Sequence, residues 1–521
     1  MDSRSCSFPF VLCALLVAGL AILANEWTLS FASADGSLQH ETRVLIRISQ
    51  AAGLGLAAGL FFARNRLPRL FRDDRRAMAV LLVLGLALRV AVFPFLGPDN
   101  NDPHREMVEY VAEHGWTPTA DEATLGFQPP LYYLMAAPFA LGGSAKWIQV
   151  LSLLCSLANL VLLHRLLRGT LLLEDPRART HAFALAALLP QFVLFGLFVS
   201  NDTLAFLVGT LVFGQFLAFS ERPSLGRTLG LGVALGVGLL TKGTFTAFVP
   251  VALLLAALIW WRSGERLPKI ARSLVLLGAT TALVGCYKFV ENYVHFGTPV
   301  VNNDILEQPW VARQQGTVQG VSSFVDVDVP RLVRYPYLSD ETKHSLPLLF
   351  YGTFWYSHIP ESNFDHTRRH PFTLVPRSVY VTALVPTALM LVGLFAWAAR
   401  GFALFGKLRR APEDGDRDLN RDGGGGRDVE VRKDLVSSAI VGVLLLNFGT
   451  VLTWGLKHDA WSFFQSRLMF PSFLALALLL GYGFESTVRR FPRLAAVGNL
   501  ALVAPWLTGL AWLAIEIAGE L

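Results

Sequence analysis

Two carboxylates and an imidazole stand together in Pro98-Asp99-Asn100-Asn101-Asp102-Pro103-His104, directly after the apolar run Met78 to Leu96. A carboxylate beside an apolar surface has its pKa raised and can take a hydroxyl proton in a transition state. Asp99 and Asp102 are therefore candidate general bases. His104 is placed to orient that base, to bind a substrate, or to cap the helix that begins near Arg105. The plain alternative is a polar turn, because Pro, Asp and Asn are turn-forming residues. Both acids lie just past the span, where they escape the roughly 2.5–3.5 kcal/mol that a charge costs at a bilayer centre.

Three further segments put polar chemistry at span ends. In Gln128-Pro129-Pro130-Leu131-Tyr132-Tyr133 the prolines fix a helix start. Gln128 there can hydrogen-bond a phosphate or a sugar, whereas tyrosines at that boundary are also common interfacial residues. Lys242, in Leu239-Leu240-Thr241-Lys242-Gly243-Thr244, sits between two apolar runs. It is either a snorkelling lysine at a tight turn or a point charge for an anionic headgroup. Arg467, in Gln465-Ser466-Arg467-Leu468-Met469-Phe470-Pro471, opens a span on the side where basic residues are scarce. Such an arginine calls for a partner, either a phosphate held by charge-assisted bonds or a salt bridge to Asp459.

The elements that must position these groups are membrane spans. The chain has 521 residues, 53% hydrophobic and 16% charged, with a mean hydropathy of +0.46. Apolar runs recur from end to end, which predicts an all-α polytopic membrane protein. They are continuous and do not alternate, which argues against a barrel. The net charge of +6 reads as basic inner loops and not as a nucleic-acid surface. Cys6, Cys13, Cys155 and Cys286 show neither metal spacing nor a disulfide framework.

Spans are expected at about 8–24, 44–63, 77–96, 147–167, 182–200, 203–219, 225–240, 243–261, 271–290, 378–399, 435–455, 466–484 and 495–515. That makes about 13, provided that Leu131 to Gly142 does not fully cross; the first could instead be a cleaved signal peptide. The basic residues of 64–76, with Arg165, Arg168, Arg177, Arg179, Arg262, Arg266, Lys269, Arg272, Arg489, Arg490 and Arg493, mark inner loops. The N-terminus is then inside. Segments 97–146, 291–377 and 456–466 lie outside, as do the turns at Asn201-Asp202 and Thr241-Lys242. The expected organisation is an N-terminal pair of extra spans over 1–76 and a main module over 77–400. A flexible inner linker over 401–434, acidic and Gly-rich, and C-terminal spans over 435–521 complete it.

Taken in order, these motifs resemble the GT-C-fold glycosyltransferases that use polyprenyl-phosphate-linked sugars. That group contains the protein O-mannosyltransferases (family 39) and lipid A aminoarabinose transferase relatives. The likeness rests on Asp99 to His104, Gln128 to Tyr133, Leu240-Thr241-Lys242 and Arg467 to Pro471. Asn201-Asp202 and Asn292 with Phe296-Gly297-Thr298-Pro299 match further typical positions, and the similarity spans about residues 77–484. The resemblance implies a GT-C-type helical bundle whose extracytoplasmic loops and juxtamembrane helices form the active site. It implies inverting transfer of a sugar from a polyprenyl-phosphate donor to an acceptor hydroxyl on a glycan, lipid or protein. Asp102 or Asp99 would be the base, with His104 beside it. Lys242 and Arg467, with Gln128 and Tyr132, would hold the carrier and its phosphate. Asn201, Asp202 and Asn292 are further substrate-binding candidates. The resemblance fixes no cofactor; a divalent metal is compatible with the pattern but not indicated.

The chain departs from the group's pattern at two places. Asn100 follows Asp99 where the group often has Asp-Glu, which leaves two candidate bases. Glu291-Asn292 stands where Arg-Asn is common, so Arg313, Arg331 or Arg334 would supply any missing phosphate contact. The aromatic-rich stretch Tyr335 to Phe372 suits stacking on a sugar or packing over the membrane face. The resemblance places the protein in the inner membrane of a bacterium, or in the endoplasmic reticulum membrane of a eukaryote. Rival readings are a nucleotide-sugar transferase using Asp326-Val327-Asp328, a transporter or lipid flippase, and a non-catalytic scaffold. The flippase reading is opposed by charges that gather at one face instead of the midplane.

Overall fold

The computed structural model describes residues 74–99, 102–169, 172–301, 320–337, 339–356, 374–409, 425–455 and 465–494, with Trp506 and Gly509. The spans expected at 8–24 and 44–63, nearly all of 495–515, and the linker core 410–424 lie outside these residues. So do residues 302–319 and 357–373 of the large outer loop. Every regular element among the described residues is helical.

Among the described residues, seven helices are long and apolar enough to cross a membrane: Ala145–Gly169, Asn201–Glu221, Gly243–Arg262, Leu267–Gly285, Arg377–Gly406, Val429–Thr453 and Ser466–Arg490. Each falls on a span expected from the sequence. The protein is an integral, polytopic, all-α membrane protein.

In chain order the helices begin with α1 (Asp74–Val92), α2 (His104–His114), α3 (Leu131–Ala140), α4 (Ala145–Gly169), α5 (Pro176–Leu188), α6 (Pro190–Phe195), α7 (Asn201–Glu221), α8 (Leu225–Thr241) and α9 (Phe248–Arg262). They continue with α10 (Leu267–Gly285), α11 (Tyr287–Phe296), α12 (Val321–Val325), α13 (Val329–Arg334), α14 (Leu346–Trp355), α15 (Leu374–Thr382), α16 (Leu384–Arg409), α17 (Gly425–Gly455) and α18 (Phe473–Arg490). Short 3-10 turns, Gly243–Ala247 and Ser466–Ser472, lead into α9 and α18.

Helix α18 is buried on nearly every side, whereas α10 and α16 leave most of their surface open to lipid. Without a hydrophobic drive between helices in lipid, close packing requires small residues. A Cβ at Gly393 on α16 would meet the Leu479 carbonyl oxygen at 1.8 Å, and one at Gly483 on α18 would meet that of Leu389 at 1.8 Å. The two backbones therefore touch reciprocally. A Cβ at Gly209 on α7 would meet the Pro471 carbonyl oxygen at 2.0 Å. That contact seats the 3-10 turn carrying Arg467 directly against α7.

The stretch expected as one span at 182–200 is broken in two. Leu189 is extended at ψ 114° and Pro190 begins α6. Proline lacks an N–H and pushes its predecessor out of the helical region. In an unbroken helix the carbonyl of Ala186 would accept from residue 190, which here has no proton to give. Arg89 on α1, fully buried, fills the gap. Its guanidinium donates to the Ala186 carbonyl at 3.1 Å and to that of Ala187 at 3.2 Å. It also donates to Ser156 Oγ at 3.0 Å and to the Gly85 carbonyl at 3.0 Å. The negative end of the α5 dipole faces the cation, which suits a charge with no carboxylate among these partners.

Two other span expectations change. The 271–290 span ends at Gly285, and α11 starts afresh after Cys286. Helix α11 exposes Tyr287, Val290, Tyr293 and Val294 and buries Lys288 and Asn292, the reverse of a helix in water. Helix α3 has ten residues, about 15 Å of helix against a hydrocarbon core of about 30 Å.

Candidate active site

The chain after α1 is held backbone-first. Lys146 at the start of α4 donates to the Phe93 carbonyl at 2.9 Å and also to that of Leu96. Gln149, one turn on, donates to the carbonyls of Leu96 at 3.2 Å and Gly97 at 3.1 Å. The Val199 N–H donates to the Pro98 carbonyl at 2.8 Å. These bonds fix the loop that leads to Asp99, Asp102 and α2. Helix α2 packs on α3 and ends at Gly115, whose φ of 76° is left-handed.

Four charged groups from distant parts of the chain meet there. Asp102 Oδ2 lies 2.9 Å from Arg467 Nη2. Asp202, the second residue of α7, is ion-paired with Lys242, which caps the C-terminus of α8. Ser200 caps α7, its Oγ accepting from the Asp202 N–H at 3.2 Å. Lys242 is extended at φ −158° and ψ 141°, which turns it off the helix axis. The Asp202 and Lys242 side chains are 3% and 12% exposed. Arg467 is 11% exposed, whereas Asp102 is 37% exposed and is the open member of the set. The Arg467 guanidinium lies over the Phe195 ring at 5.2 Å, and the Ser466 N–H donates to Thr353 Oγ1 at 3.0 Å. Both contacts hold the 3-10 turn in place.

His104 sits inside this group. Its Nε2 is 3.9 Å from Asp102 Oδ2, beyond hydrogen-bond reach, and its Nδ1 is 2.9 Å from the Tyr133 hydroxyl. Burial pushes the imidazole pKa down to about 4, against the pull of Asp102 and Asp202 in the other direction. At neutral pH it is uncharged, and two carboxylates face two cations with no net charge.

The remaining sequence candidates divide. Asp99 pairs with Arg105 at 3.4 Å, and burial raises its pKa against the pull of that arginine. Gln128 Oε1 accepts from Asn201 Nδ2 at 3.2 Å, and Asn201 Oδ1 is buried without a hydrogen-bond partner among the described residues. Tyr132 is fully buried. Its hydroxyl is 2.9 Å from Ser152 Oγ and accepts from the Ser200 N–H at 3.1 Å. It braces the turn before α7 and offers no face to a ligand.

Asn292 is buried on α11, its Oδ1 without a hydrogen-bond partner among the described residues, beside a network on the same helix. There Lys288 pairs with Glu291 and donates to the Pro118 carbonyl at 3.0 Å. Tyr287 donates to Glu291 at 2.6 Å and accepts from Trp116 at 2.9 Å.

Asp326 is ion-paired with Arg331, and Asp328 caps α13 by accepting from the Arg331 N–H at 3.0 Å. That Asp-x-Asp pair is thus occupied by its own chain. Arg313 and Asp459 lie outside the described residues. Sequence reasoning missed Ser200, Lys146 and Gln149. Ser200 carried a readable signal, a serine directly before a helical run.

Residues 128–290 match the family model of the dolichyl-phosphate-mannose-protein mannosyltransferases. No curated protein sequence matches the chain. Among solved structures the chain is similar to the apo oligosaccharyltransferase of Archaeoglobus fulgidus, at 13% identity and a TM-score of 0.38. That similarity covers 86% of this chain and 56% of the other, so the chain spans little more than half the length of that relative. It is also similar to ArnT from Cupriavidus metallidurans bound to undecaprenyl phosphate, at 16% identity, TM-score 0.34 and 80% of each chain. The apo state of the same ArnT gives 16% identity, TM-score 0.31 and 79% of each chain. The family match takes in Gln128, Asn201, Asp202 and Lys242 and leaves Asp102 and Arg467 on either side. Over that central segment, the chain is similar to the dolichyl-phosphate-mannose-protein mannosyltransferases.

Proposed function

We propose that the protein is a membrane glycosyltransferase that moves a sugar from a polyprenyl-phosphate carrier to an acceptor hydroxyl on the extracytoplasmic face, with inversion. The observation that carries this reading is the meeting of Asp102, Arg467, Asp202 and Lys242 at a fixed loop beside membrane spans. The family match over residues 128–290 supports it.

The chemistry needs a base for the acceptor proton and cations for the departing phosphate. Asp102 is the exposed carboxylate. Arg467 offers a planar fork, and Lys242 a point charge that Asp202 holds in place. Neutral His104, bonded to Tyr133, walls the carboxylate from one side without adding charge. The face follows from the basic residues. Helices α4, α9 and α18 start at the site and end at Arg165 and Arg168, at Arg262, and at Arg489 and Arg490. The positive-inside rule puts those ends in the cytoplasm and the site on the other side. The ten-residue α3 supports a segment that enters the membrane layer without crossing it.

Turnover of a polyprenyl-phosphate-linked sugar by the purified protein tests the reading. Lys242→Ala and Arg467→Ala each remove a charge-assisted bond worth about 1.5–3 kcal/mol, so each should cost roughly 10- to 100-fold. Arg467→Lys should recover only part of the loss, because lysine lacks the fork and stacks less well on Phe195. Full turnover and donor binding with both residues replaced would place the phosphate elsewhere.

A further inference from the structure

We propose that Asp102 also sets which form of the lipid the site holds, favouring the sugar-loaded carrier over the spent one by competing for Arg467. The inference rests on the reading above and adds a specificity role to Asp102. The loaded carrier is a phosphate diester with one negative charge. The spent carrier is a monoester with about 1.5–2 negative charges at neutral pH.

The argument is one of charge. Within the protein, Asp102 and Asp202 balance Arg467 and Lys242, with His104 buried and uncharged. Lys242 is committed to Asp202 in a nearly buried pair. Arg467 is bonded at 2.9 Å to the one carboxylate of the four groups that is open to solvent. It is therefore the cation that can change partner with least rearrangement.

In the transfer step the acceptor oxygen bonds to the anomeric carbon, and the bond from that carbon to the phosphate oxygen breaks. The electron pair of the broken bond stays on the phosphate, which gains one negative charge. The acceptor proton passes to Asp102, which becomes neutral and releases its hold on Arg467 as the phosphate comes to need it. Total charge in the site stays constant. When Asp102 later gives its proton to water, its carboxylate again repels the phosphate and reclaims Arg467. That repulsion acts on a dianion twice as strongly as on a monoanion, so it expels the spent carrier selectively.

The test compares two probes with the same tail, farnesyl phosphate as the monoester and farnesyl methyl phosphate as the diester. Binding is measured by titration calorimetry on the full-length protein in nanodiscs at pH 7.5. The wild type should bind the diester at least as tightly as the monoester. Asp102→Asn keeps the shape and removes the competing charge. It should shift the affinity ratio toward the monoester by roughly tenfold. Asp102→Ser should shift it the same way, which separates charge from any effect of the asparagine amide. An unchanged ratio, or a parallel loss of both affinities, would overturn the proposal and leave Asp102 with at most its proton-transfer role. If the wild type binds neither probe, the phosphate-site reading fails, and this inference falls with it.

Discussion

Arg89 tests how the fold is held. Replacing it with Met keeps an unbranched side chain of similar length but removes four donated bonds. The Gly85 carbonyl belongs to the interior of α1 and keeps its helical partner. The carbonyls of Ala186 and Ala187 do not, because Pro190 ends the helix above them. A buried polar group left without a partner costs about 1–3 kcal/mol, so the two carbonyls together cost about 2–6 kcal/mol. In a chain of this size that lowers the unfolding midpoint by something on the order of 5 °C. The damage should reach the site, since α6 carries Phe195 beneath Arg467 and leads to Val199, which holds Pro98. The decisive assay is a cycle of thermal melts in detergent on the wild type, Arg89→Met, Pro190→Ala and the double mutant. Alanine at 190 restores the N–H that Ala186 lacks, so the double mutant should melt above Arg89→Met alone. Equal melting of Arg89→Met and wild type, or no recovery in the double mutant, would refute the carbonyl accounting.

His104 should make stability pH-dependent. Its folded pKa of about 4 lies below the unfolded value of about 6.5, so the unfolded chain binds the extra proton first, and stability falls as pH drops from 6.5 toward 4. The full loss is on the order of 3 kcal/mol; melts of His104→Gln should be flatter across that window, and an equally steep decline in the variant would exclude His104 as its source. Helix α11 should lie with its apolar face in the lipid interface. A spin label at Val294→Cys should respond to oxygen more than to a water-soluble nickel complex, as should a reference label on α10 at Val275→Cys, and the opposite preference would place α11 in water.

The sequence made the membrane class legible because apolar runs of span length are a physical requirement of the bilayer. All seven long apolar helices fall on expected spans for that reason. Apolar content alone did not reveal the break at Leu189-Pro190. A helix that continues and one that breaks bury the same residues, and the compensating arginine lies about a hundred positions earlier. Asp102, Lys242 and Arg467 stood out because each is a charged group at a span end with no local need for it. Asp202 is ion-paired with Lys242, a pairing across 40 positions that no local pattern encodes. Asp99 and Asp102 share a turn-forming segment, in which only His104, two residues on, favours Asp102 slightly. The folded chain separates them by giving one to Arg105 and the other to Arg467. Tyr132 read as a carrier contact because interfacial tyrosines and buried braces share a sequence signature.

The central claim, that Asp102 is the base of a sugar transfer from a phosphate-linked lipid, meets its most direct test in single-turnover kinetics. The purified protein is loaded with a polyprenyl-phosphate sugar and mixed with acceptor, and Asp102→Asn is compared with Asp99→Asn. The account predicts that Asp102→Asn keeps the bound donor and loses transfer by roughly 100-fold or more, while Asp99→Asn, whose partner Arg105 is outside the cluster, stays within about threefold of wild type. Transfer at the wild-type rate by Asp102→Asn would contradict it.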